Sequence, residues 1–178
     1  MTIADAQRDV RTFFLGGFAG QLVSGLVWFA SAALATWASP RAAILMLVFG
    51  GMLIFPLTQL TLRLMGRPAS LPKGHPMNAL AIEIAFIVPL CLPLIGAAAL
   101  HHLSWFYPAF MIVVGAHYLP FTFLYGMRQF LVLGALLIGA GVLLGLYLPS
   151  SFSLGAWIAA PLLLLFAFTG RSVADKTA

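Results

Sequence analysis

The sequence predicts an all-α polytopic membrane bundle of six transmembrane helices with both termini in the cytoplasm. Three observations carry that expectation. Of the 178 residues, 62% are apolar and only 7% charged, against roughly 25% charged in a soluble domain. Apolar stretches long enough to cross a bilayer as a helix, about 20 residues each, recur six times. The basic residues fall almost entirely on alternate connections between those stretches. A chain this small has too little interior to hide so much apolar side chain, which excludes a soluble globular domain, a disordered chain and a disulfide-stapled module. The mean hydropathy of +1.06 agrees. The net charge of +5 comes from basic residues scattered singly rather than on one face or in one run, so no nucleic-acid partner is expected.

The first span reads as Phe13–Trp37, closed by Ala38-Ser39-Pro40. Its apolar stretch outruns the roughly 7–15 residues of a cleavable signal core, so it is expected to stay in the membrane. The second is Ala42–Met65, followed by the polar stretch Gly66–Pro76. The third, Met77–Leu100, gives way to His101-His102, and the fourth runs from Phe106 to Gly126. The fifth is Phe130–Leu148, ended by Pro149-Ser-Ser, and the sixth, Leu154–Thr169, leads through Gly170-Arg171 into a short polar tail. No linker has room for a soluble domain, so residues 1–178 form one membrane domain.

Orientation follows from the short connections. With the amino terminus inside, Arg8, Arg11, Arg63, Arg67, Lys73, Arg128, Arg171 and Lys176 fall inside, and Arg41 alone falls outside. An odd number of spans would spoil this asymmetry. There is also an internal echo: Gly51-Met-Leu-Ile-Phe-Pro56-Leu-Thr58 resembles Gly115-Ala-His-Tyr-Leu-Pro120-Phe-Thr122, as a duplicated helical hairpin would.

Polar residues inside spans are candidate functional groups, since lipid penalises them unless they are paired or hydrated. Glu83 is the one acid within a span. His117 lies near the middle of the fourth, and Tyr118, Thr122 and Tyr125 follow on one helical stripe. Gln21 lies on the stripe Gly17, Gly20, Gln21, Ser24, Trp28, Ser31, and Gln59 sits beside Thr58 at the end of the second span. Glu83, His117, Tyr118, Gln21, Gln59 and Thr122 are therefore expected to converge in the cytoplasmic half, where they would bind a small solute or ion or pass a proton. A structural alternative stands beside each. Glu83 also suits a rim ion pair with Arg63, Arg67 or Lys73. The glutamines suit helix–helix hydrogen bonds, and His117 suits a packed histidine.

Pro56, Pro89, Pro93, Pro120 and Pro161 are expected to kink their helices. Gly16, Gly17 and Gly20, and Gly134, Gly141 and Gly145, form small-residue faces suited to close contact within the chain or between copies. His101-His102 lacks a nearby carboxylate or thiol, and Cys91 is alone, so no metal site is expected. Nor is a cofactor, since no phosphate loop, nucleophile elbow or haem-attachment motif occurs.

The string Gly115-Ala-His-Tyr-Leu-Pro-Phe121 with Leu124-Tyr-Gly-Met127 resembles uncharacterised bacterial multipass proteins of a domain-of-unknown-function family. The resemblance implies a bacterial inner-membrane protein and brings no activity or site residues with it. The expected function is a small transporter or channel-like protein. The alternative is a non-transporting accessory or assembly subunit of a larger membrane complex. The expected partners are the bilayer, a small solute or ion, and a second copy or larger complex.

Overall fold

The computed structural model describes residues 1–148 and 152–177, with only the backbone for Lys176 and Thr177. The expected fifth-span terminator Pro149-Ser-Ser and the Lys176 charge lie outside that description. The described residues form eight α-helices, two single-turn 3-10 helices and no strand. Six segments are long and apolar enough to cross a membrane, at Leu15–Trp37, Pro40–Leu64, Asn78–His101, Leu103–Tyr125, Gln129–Tyr147 and Leu154–Asp175.

The chain opens with a helix ahead of the first expected span, α1 (Ile3–Phe13). Thr2 and Asp5 cap it reciprocally: the Thr2 side chain accepts from the Asp5 amide, and the Thr2 amide donates to the Asp5 carboxylate. Ala6 and Val10, one turn apart, bury the inner face. A left-handed turn follows, with φ of 50°, 63° and 85° at Leu15, Gly16 and Gly17. Glycine is the residue that takes such backbone without strain. A Cβ at Gly16 would also strike the Gly170 carbonyl oxygen. The turn separates α1 from the first long helix, α2 (Phe18–Trp37).

Helix α3 (Pro40–Leu64) starts with Ser39 as its cap and Pro40 in the first turn, and Pro56 sits inside it without ending it. Helix α4 (Asn78–His101) likewise carries Pro89 and Pro93. The fourth span breaks instead. Helix α5 (Phe106–Tyr118) stops before Pro120, and the short α6 (Phe121–Tyr125) ends on Gly126 at φ 63°. There the Gly126 amide donates to Phe123 O and the Met127 amide to Thr122 O. The two halves of the sequence echo thus part company, one proline absorbed and the other breaking its helix. Helix α7 (Gln129–Tyr147) follows, and α8 (Leu154–Thr177) extends two turns past the expected end at Thr169.

Helix α2 packs between α3 and α8, α7 packs on α5 and α8, and α4 leans on α5 at the periphery. Trp28 ties α2 to α5 through edge-on contact with Phe110 and a tilted contact with Tyr107. The glycine faces are used within the chain. A Cβ on Gly115 would lie 2.8 Å from the Gly134 carbonyl oxygen, one on Gly134 2.8 Å from the Gly115 oxygen, and one on Gly141 2.7 Å from Pro108 O. Helices α5 and α7 therefore touch backbone to backbone.

The two ends of the bundle differ in charge. At one end, the Gln7 amide donates to Phe123 O (2.6 Å) and Arg11 Nη1 to Tyr125 O (2.7 Å). There too His75 Nε2 lies 3.6 Å from the Asp9 carboxylate, which brings in the connection between α3 and α4. With Gly16 against Gly170 on α8, this end gathers α1, the α6–α7 turn and the end of α8. It carries Arg8, Arg11, Arg63, Arg67, Lys73, Arg128 and Arg171. At the opposite end Trp157 Nε1 donates to Thr36 Oγ1 (2.9 Å), and Ser31 Oγ donates to Ala43 O (2.8 Å) and pairs with the Tyr107 hydroxyl (2.6 Å). Arg41, just past Ser39 and Pro40, is the basic residue there.

Candidate functional site

Toward the basic end, the helices bring together side chains that the protein itself does not satisfy. Gln21, 2% exposed on α2, has both side-chain amide atoms buried without a hydrogen-bond partner. Thr58 Oγ1 on α3, His117 Nδ1 on α5 and Thr122 Oγ1 on α6 are in the same condition. In folded proteins most buried polar atoms find a partner, so this grouping is unusual.

Packing brings the stretch of α2 around Gln21 against α3 and the fourth span. Gly20, beside Gln21, faces Thr58, whose Oγ1 would lie 3.7 Å from a Cβ there. Ser24, one turn along α2, pairs with the Tyr118 hydroxyl. Gly17, one turn the other way, lies against Tyr125 and Phe130. Gln21 therefore sits between the contacts that Tyr118 and Tyr125 make with α2. The Tyr118 and Tyr125 rings rest on Phe130 and Phe121, with centroids 4.9 to 6.1 Å apart. Those aromatics make a dry wall behind the polar atoms. The break before Pro120 sets the course of the chain between His117 and Thr122.

Of the residues expected from sequence, Gln21, Tyr118 and Thr122 share this zone. His117 borders it, its ring 5.6 Å from that of Tyr118 and its side chain against the Ile84 backbone on α4. Glu83 does not join them. It is exposed on α4, and no ion pair ties it to Arg63, Arg67 or Lys73 among the described residues. Gln59 is only partly buried. On α3 it is Thr58 that turns toward α2, and an adjacent polar pair leaves that choice to helix rotation. Ser24 and Tyr125 were visible as members of polar stripes, but their pairing across helices was not. No group of three His, Cys, Asp or Glu side chains suited to a metal occurs among the described residues.

No curated protein and no solved structure matches the chain. One family model does, and its match runs from α1 through all six spans into α8. Residues 3–170 match the model of a family of unknown function, DUF7010, and the chain belongs to that family.

Proposed function

We propose that this chain is a small inner-membrane transporter or channel-like protein. It would take a small solute or hydrated ion at the polar zone between α2, α3 and the broken fourth span. The observation that carries this reading is the set of buried, unpartnered polar atoms on Gln21, Thr58, His117 and Thr122. Each such group costs about 1–3 kcal/mol when left unsatisfied, and water or a ligand arriving between them would recover that. Amide, hydroxyl and imidazole groups suit a neutral hydrogen-bonding solute or an ion that keeps part of its water. The positive-inside bias puts the basic end, and with it both termini, in the cytoplasm. Glu83 neighbours the Ile84 backbone that His117 touches. A rotation of α4 about its axis would be needed to turn that exposed carboxylate toward the imidazole, where a proton or cation would be coupled.

The test is native mass spectrometry of the protein in lipid nanodiscs, paired with flux in proteoliposomes loaded with the species found. A reproducible small mass lost in Gln21→Leu, with flux lost in step, is the expected result. Gln21→Leu should also melt at a higher temperature, because it replaces an unsatisfied buried amide with a hydrophobe. A bare mass and no flux for any small solute would overturn the reading.

A second reading, an accessory or assembly subunit, draws on a different observation. Helices α3 and α4 expose much of their length, and the Glu83 carboxylate faces outward from α4. A partner protein would cover that charge. Stoichiometric co-purification of a second protein, lost in Glu83→Ala, would favour it over transport.

A further inference from the structure

At the basic end, outside the polar zone and independent of the function proposed for it, an open cleft of about 410 Å³ lies between α1, the α6–α7 turn and α8. Its lining includes Arg11, Gly126, Arg128 and Gln129, and no acidic residue. We propose that this cleft is a binding site for a phosphate-type oxyanion, presented by a lipid headgroup or free in solution.

The donors are already arranged. Arg11 is held in place by its bond from Nη1 to the Tyr125 carbonyl (2.7 Å), yet its Nε is buried and has no partner. Gln129 Nε2 is likewise a buried donor without an acceptor. Arg128 is exposed beside them, with no ion pair among the described residues. The acids of this end are occupied elsewhere: Asp5 with Arg8 at 3.7 Å, Asp9 with His75 at 3.6 Å and Asp175 with Arg171 at 4.0 Å. Gly126 makes the cradle possible. A Cβ there would come within 2.6 Å of Gln7 Oε1 and 2.9 Å of Arg11 Nη1. A larger residue would lift Arg11 from the cleft floor.

Two guanidinium groups, one of them fixed, and an amide donor suit the several oxygens of a phosphate better than a single carboxylate. The nineteen-residue α7 starts at Gln129 with no side chain capping it, so its positive end adds to the field. The cleft also lies where the candidate spans Leu103–Tyr125 and Gln129–Tyr147 meet, and basic pockets at the ends of spans bind anionic lipids.

Full-length protein is purified in phosphate-free maltoside micelles and its melting temperature followed as inorganic phosphate or, separately, phosphatidylglycerol is added. Stabilisation by phosphatidylglycerol alone assigns the site to a lipid headgroup, and stabilisation by inorganic phosphate assigns it to the free oxyanion. Either result should weaken about tenfold in Arg128→Gln, the worth of one charge-assisted hydrogen bond. Among the described residues the Arg128 side chain makes no bond that its loss would break, so this variant should fold. Arg67→Gln, which removes an exposed arginine on the connection between α3 and α4, should leave the response unchanged. No stabilisation by either probe, an undiminished response in Arg128→Gln, or an equal loss in Arg67→Gln would overturn the proposal.

Discussion

Replacing Gly134 by alanine adds a single methyl group, and its sign depends on what that methyl meets. In an open helix position the change is favourable, because alanine exceeds glycine in helix propensity by about 0.8–1 kcal/mol. At Gly134 the new Cβ would lie 2.8 Å from the Gly115 carbonyl oxygen and 2.9 Å from Leu119 Cδ2. The leucine tip can swing aside, but the carbonyl belongs to the backbone of α5. The pair α5–α7 must then separate by several tenths of an ångström along a seam that also includes Gly115 and Gly141. Overpacking of this kind costs typically 1–3 kcal/mol, which exceeds the propensity gain. Gly139, on the same helix, has nothing within 4 Å of its Cβ position. Gly139→Ala therefore keeps its gain, and Gly134→Ala should be the less stable of the two by roughly 1–3 kcal/mol, since the propensity gain is common to both. Reversible unfolding in mixed micelles, followed by circular dichroism, measures that difference. Gly134→Ala proving as stable as Gly139→Ala would refute the backbone contact between α5 and α7.

Three further outcomes follow from single sites. Gly16→Ala should destabilise the junction of α1 with the bundle, by about 1–2 kcal/mol from its left-handed backbone alone and more from the Gly170 carbonyl. Faster amide exchange throughout α1 is the readout, and unchanged exchange would count against that turn. Ser31→Ala and Tyr107→Phe should show coupling of roughly 0.5–1.5 kcal/mol in a double-mutant cycle, the range for hydrogen bonds between membrane helices; strictly additive losses would argue against the 2.6 Å contact. Asp5 is held below its ordinary value of 3.8 by hydrogen bonds from the Thr2 side chain and backbone. The start of α1 should therefore be fully protected above the ordinary carboxylate range and fray as pH falls through the lowered value. In Thr2→Ala the fraying should begin at higher pH, as exchange of the first-turn amides would report.

Much of the candidate site was legible residue by residue but not as an arrangement. Gln21, Tyr118 and Thr122 stood out because amide and hydroxyl groups are costly inside a span. Composition alone says nothing about which way a helix is turned, so Glu83, the most conspicuous of all by charge, was expected inside the zone and lies outside it. The same ambiguity separated Gln59 from Thr58. Helix α1 has a local signature in Thr2 and Asp5 at capping-box spacing with Ala6 and Val10 on one face, but its polar character sets it apart from the long apolar stretch beside it. The cleft at Arg11, Arg128 and Gln129 had no signature in sequence, since its walls come from segments more than a hundred residues apart.

The class, the six spans and the gathering of basic residues at one end of the bundle were all legible in the sequence. The bilayer imposes those terms on any chain: a helix must be long and apolar enough to satisfy its backbone across the hydrocarbon, and arginine must remain at the ends. Tertiary structure decided which polar groups meet, that the glycine faces close α5 on α7 within one chain, and that Pro120 breaks its helix where Pro56 does not. Each of these depends on the rotation of a helix about its axis and on what packs against it. In an apolar span nearly every face is tolerated by lipid, so hydropathy leaves that rotation free and only the contacts between helices select it.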